Sequence, residues 1–72
     1  MKYRPLTDEK LSTLREGLPW GAQTRIHEMT GFSLAYINHV LHGDYYNHTI
    51  IRSALRIYKK QTGLSIEINN AI

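Results

Sequence analysis

The 72-residue sequence predicts an all-α fold: a single compact domain of about four short helices, followed by a tail of different character. Three observations lead there. Apolar residues recur every three or four positions through most of the chain, the period of a helix buried on one face. No run in the body of the chain alternates apolar and polar residues as a half-buried strand does. Gly and Pro fall between the periodic stretches, at Gly17, Pro19, Gly31, Gly43 and Gly63, where helices would have to stop. A chain of this length holds one domain with a modest core and a thin stability margin. With no cysteine, it has neither a disulfide nor a thiolate metal site to supplement that core.

The first helix opens at Thr7, a good N-cap, with Asp8 and Glu9 where the positive end of a helix favours negative charge. Leu11, Leu14 and Leu18 form its buried stripe. Gly17 and Pro19 should end it, Gly as the usual C-terminal residue and Pro as a stop. Trp20 is expected in the core, stapling the first two helices, as is usual for so large a side chain; the alternative is an exposed contact. The second helix runs from Gly21 or Ala22 to Thr30, where Gly31 interrupts it. Ser33 caps a third helix that continues to His42 and is closed by Gly43. A polar, Tyr-rich connector, Asp44-Tyr45-Tyr46-Asn47-His48, leads to a fourth helix capped by Asn47 or Thr49. That helix carries Ile51, Ala54, Leu55 and Tyr58 on one face, widened by Ile50 and Ile57, and ends at Gly63. Residues 1–63 therefore form the domain and 64–72 a tail, in which Leu64, Ile66 and Ile68 alternate with polar residues. The tail is either disordered or a strand that pairs with a second chain.

The segment Gln23 to His42 reads as one unit. Two short helices meeting steeply need a tight turn with one residue in the left-handed conformation, which Gly31 supplies. Ile26, Phe32, Ile37 and Val40 fall where the two helices bury each other, and Leu41 extends that stripe. Leu34, Ala35, Asn38, His39 and His42 are left on the outward face of the third helix. One face locked to its neighbour and the other free to project is what reading the major groove of DNA requires.

With these positions in place, the segment resembles the helix-turn-helix of the phage Cro and repressor proteins (lambda repressor-like) and of the LacI-type regulators. The resemblance lies in the Gln23-Thr24 opening, the central Thr30-Gly31, Ser33 at the start of the next helix, and Ile37-Asn38 followed by Val40-Leu41. It continues through His42-Gly43-Asp44-Tyr45-Tyr46-Asn47 to Ile50-Ile51 and Ala54-Leu55, covering about Leu6 to Tyr58. The stretch LPWGAQTRIHEMTG, Leu18 to Gly31, is similar to the lead-in of short regulators from phages and Bacteroidetes-like bacteria. Two positions depart from the family's habit: His27 stands where Ala is usual, and Thr30 where Leu is frequent. His27 either tilts to the edge of the helix pair and leaves its geometry intact, or holds the two helices further apart.

The resemblance implies a sequence-specific double-stranded DNA-binding protein, a small transcriptional regulator reading the major groove with residues 33–42. By position, Ser33, Leu34, Ala35, Asn38, His39 and His42 would face the bases. Asn38 can bond bidentately to adenine, and Leu34 and Ala35 can meet a thymine methyl. Gln23 and Thr24 open the second helix, where backbone N–H groups and the helix dipole favour a phosphate. With Arg25, Tyr45, Tyr46, Asn47 and His48 they are the candidates for backbone contacts. A capped helix with an ordinary polar outer face would look the same, and one of the two tyrosines could simply pack beneath the connector. Arg52, Arg56, Lys59 and Lys60 read as a solvated helix face.

Nine Lys and Arg against six Asp and Glu give a net charge of +3, which suits a polyanionic partner without demanding one. The third helix holds no Lys or Arg, so a shallow salt dependence is expected. Useful affinity would then come from a homodimer on a two-fold site, formed through the fourth helix or the C-terminal tail. Protonation of His39 and His42 is expected to strengthen binding.

Other chemistries find little support. There is no Cys nucleophile, no paired-carboxylate constellation and no phosphate-cradling Gly-rich loop, so neither an enzyme nor a cofactor is expected. His39 and His42, three apart on one face, could share a metal with His48, but scattered histidines are more often surface groups and no metal is expected. The start, MKYRPLTDEK, lacks the apolar run of a secretory signal, and no stretch approaches the roughly 20 apolar residues of a membrane span. A soluble cytoplasmic protein, encoded by a bacterium or phage, is the expectation. The alternative function keeps the fold and changes the partner: a protein–protein interaction module on a helix-turn-helix scaffold. The absence of Lys and Arg from the third helix is its strongest support.

Overall fold

The computed structural model describes residues 6–66. The described chain forms four helices, α1 (Asp8–Gly17), α2 (Ala22–Thr30), α3 (Leu34–Leu41) and α4 (His48–Thr62), and contains no strand. Local chemistry sets their limits. The Thr7 hydroxyl accepts from the Lys10 amide and caps α1. Ser33 does the same for α3, through the Tyr36 amide at 3.1 Å. Asn47 rather than Thr49 caps α4, accepting from the Ile50 amide at 3.1 Å. Gly31 (φ 82°) and Gly63 (φ 77°) end α2 and α4 in the left-handed conformation, each donating its N–H to the carbonyl four residues back.

The 15-residue α4 is the spine: α1, α2 and α3 all pack against it, and α2 also packs on α3. Each helix contributes its periodic stripe to one core, Leu11 and Leu14 from α1, Ile26 from α2, Ile37, Val40 and Leu41 from α3, with Ile50, Ile51, Ala54 and Tyr58 from α4. Leu18, Phe32, Leu55 and Ile57 close its edges, half-buried. Among the described residues no buried side-chain polar atom lacks a partner, so this small core carries no desolvation penalty of that kind.

Gly17 ends α1 as expected, in ordinary helical conformation, and the chain leaves through an extended Leu18 ahead of Pro19. Its missing side chain also serves packing, because a Cβ would overlap the ring of Tyr58 on α4. One expectation needs correction. Trp20 does not staple the first two helices; it is fully exposed, at 102 % of its reference area. The backbone forces it out. The Ala22 amide donates to the Pro19 carbonyl at 3.1 Å, and Gly21 holds φ 85° and ψ 0°, the third position of a type II turn. Trp20 occupies the apex of that turn, while Leu18 and Ala22 on either side face the core.

After α4, Leu64 is exposed and Ile66 packs back against the core. Ile68, and with it most of the alternating tail, lies outside the described residues. Among the described residues no helix is long and apolar enough to cross a membrane.

Candidate nucleic-acid interface

Residues 31–33 alone separate α2 from α3. Beyond Gly31, two side chains tie this turn together, and both belong to the positions that depart from the resembled family. The Thr30 hydroxyl donates to the Ile26 carbonyl at 2.7 Å and accepts from the Phe32 amide at 3.3 Å. His27 Nδ1 lies 2.6 Å from the Phe32 carbonyl oxygen; a carbonyl can only accept, so Nδ1 carries the proton and donates. The imidazole is exposed, at the rim of the helix pair, and straps the turn from outside. Of the two expectations for His27, the edge position is the one the molecule adopts.

On α3, Ile37, Val40 and Leu41 are buried, whereas Leu34, Ala35, Asn38, His39 and His42 are all exposed. Ser33 is exposed at the N-terminal end of this row, its hydroxyl engaged as the cap. The base-reading candidates are thus brought together on one face. Gln23 Nε2 donates to Asn38 Oδ1 at 3.4 Å, joining the first turn of α2 to the middle of that face. Thr24 and Arg25, beside Gln23, are exposed.

The connector divides into two parts. Tyr45 stacks over Tyr36 with ring centroids 5.8 Å apart and meets His39 edge-on at 5.5 Å, so it borders the α3 face directly. His39 Nδ1 also lies 2.9 Å from Asp44 Oδ2, tethering the connector to α3. Tyr46 and His48 form a separate pair at the start of α4, with the hydroxyl 3.0 Å from Nδ1. Both tyrosines are exposed; neither is packed beneath the connector. Asn47 caps α4 with its oxygen and donates to the Tyr36 hydroxyl with its amide at 3.4 Å, so its side chain is committed to structure.

The histidines have defined chemistry. His42 Nδ1 donates to the Asn38 carbonyl at 2.8 Å, and His39 Nδ1 faces a carboxylate. In its neutral form each therefore presents Nε2 as an acceptor, suited to the exocyclic amino groups of adenine or cytosine, and becomes a donor on protonation. His39, His42 and His48 do not converge: among the described residues no three His, Cys, Asp or Glu are placed to hold a metal.

Arg15 is the residue that sequence reasoning missed. Its Nη1 donates to the Leu41 carbonyl at 2.8 Å, satisfying a carbonyl at the C-terminal end of α3, where a cation also suits the helix dipole. The partners stand 26 residues apart, and nothing in local spacing distinguishes this arginine from a solvated one. Beside it opens a groove of about 790 Å³, running from Trp20 at the α1–α2 turn past Arg25 on α2 to His42 at the end of α3. Compared with protein-family models, curated proteins and solved structures, the chain has no significant match.

Proposed function

We propose that this chain is a sequence-specific double-stranded DNA-binding protein, a small transcriptional regulator built on a lambda repressor-like helix-turn-helix, with α3 reading the major groove. It acts by binding rather than by catalysis, and as a homodimer. The observation that carries this reading is the division of α3. Ile37, Val40 and Leu41 are locked into the core, while Leu34, Ala35, Asn38, His39 and His42 are exposed in one row. Asn38 supplies amide donors and an acceptor for adenine, and Leu34 and Ala35 supply apolar surface for thymine methyls. Gln23, Thr24 and Arg25 at the head of α2, together with Tyr45 beside His39, would hold the phosphate backbone.

A second reading, a protein–protein interaction module using the same face, draws on one observation: α3 bears no Lys or Arg. Gel-shift titration of a random duplex pool with micromolar protein, at low and then moderate salt, separates the two. DNA binding predicts a shift at low salt that weakens only modestly as salt rises. No shift at low salt overturns it in favour of the interaction module.

A further inference from the structure

A DNA-reading face without cations raises the question of what else supplies affinity, and Trp20 answers it. We infer that Trp20 is a contact residue for DNA, its indole lying against the sugar–phosphate backbone beside the segment that α3 reads. This rests on the DNA-binding reading above and extends it to the α1–α2 turn.

Three observations carry the inference. Trp20 belongs to a residue type that is largely buried in most proteins, yet it is wholly exposed. Its exposure is built in, since the Pro19–Ala22 hydrogen bond and the left-handed Gly21 fix the turn that presents it. Finally, Trp20 shares a groove with Gln23, Arg25 and His42, and Gln23 is bonded to Asn38 at the centre of the exposed α3 row. The indole therefore stands on the same edge of the molecule as the reading face, beyond the head of α2.

The chemistry fits a nucleic-acid backbone. An indole offers an apolar plane and a single N–H donor with no acceptor. A deoxyribose–phosphate chain offers apolar sugar carbons and oxygens that only accept. Such a contact adds affinity without displacing counterions, whereas each neutralised phosphate adds about one unit to the slope of log K against log salt. Arg25 and Trp20, close together on this edge, should thus leave different signatures.

Trp20 is the chain's only tryptophan, so intrinsic emission reports on this position alone. Duplexes selected for binding by gel shift should quench or shift that emission as they titrate the protein, saturating at the same ratio as the gel shift. Trp20→Ala should weaken binding about tenfold and leave the salt slope unchanged, while Arg25→Ala should flatten the slope by about one. Because the indole touches no core, Trp20→Ala should melt like the parent chain. A gel shift with unaltered emission and an unaffected Trp20→Ala variant overturns the inference and leaves the DNA reading intact. Emission that changes with protein concentration alone assigns the surface to a second copy of the chain and also overturns it. Absence of any shift overturns both readings.

Discussion

Where α4 crosses the end of α1, Gly17 and the Tyr58 ring approach so closely that no larger residue fits. Helix propensity argues the other way, since Ala exceeds Gly by about 1 kcal/mol in a helix. Overpacking a buried contact costs about 1–3 kcal/mol, and Tyr58 is buried in the core. Overlap should win. Gly17→Ala is expected to lower the urea midpoint with an unchanged m-value, a net loss of up to about 2 kcal/mol; a midpoint equal to or above the parent's would show that the ring swings aside. His27 and Thr30 illustrate the same lesson on the other side of the molecule. Each is polar where two helices meet, and each finds a backbone partner in Phe32 beyond Gly31, His27 through its carbonyl and Thr30 through its amide.

The α2–α3 pair is where function and local structure meet. Asn38 is exposed and contributes nothing to the core, so its replacement should leave folding within a few tenths of a kcal/mol of the parent. If it reads a base, Asn38→Ala should erase discrimination at one base pair of the site, worth about 1–3 kcal/mol. Competition among singly substituted duplexes measures this, and an unchanged preference at every position would remove Asn38 from the reading set. The elements themselves were legible in the sequence because their determinants are local. The Thr7, Ser33 and Asn47 caps each bond to an amide three residues ahead. The buried stripes follow from the helical period, and so does the outward row on α3. What spacing could not show is what joins one element to another: Arg15 with Leu41, Gln23 with Asn38, Gly17 with Tyr58. Trp20 departs from the general tendency of indoles to be buried because it sits on a tight turn. Gly21, two positions after Pro19, is the available signal, since it marks a turn with Trp20 at its apex.

The described molecule measures 31 × 26 × 16 Å, so its long axis is close to the roughly 34 Å that separates successive major grooves on one side of a duplex. Under the proposed homodimer, two copies would lie side by side on one face of DNA. Selection of bound duplexes from a random pool should return a two-fold consensus with half-site centres about 10 bp apart, whereas a single asymmetric half-site would show that one copy binds alone. If the chain binds DNA as proposed, how quickly the complex forms depends on the state of α3 beforehand. The Ser33 cap fixes one end of this helix and Arg15, reaching over from α1, holds the carbonyl at the other. Eight residues would hardly stay helical in water without such support. With it, the helix is assembled in advance, and association with the proposed target would need only collision in the right orientation, not folding upon it. The clasp from α1 would thus act on the kinetics of recognition from a helix that need never touch the partner.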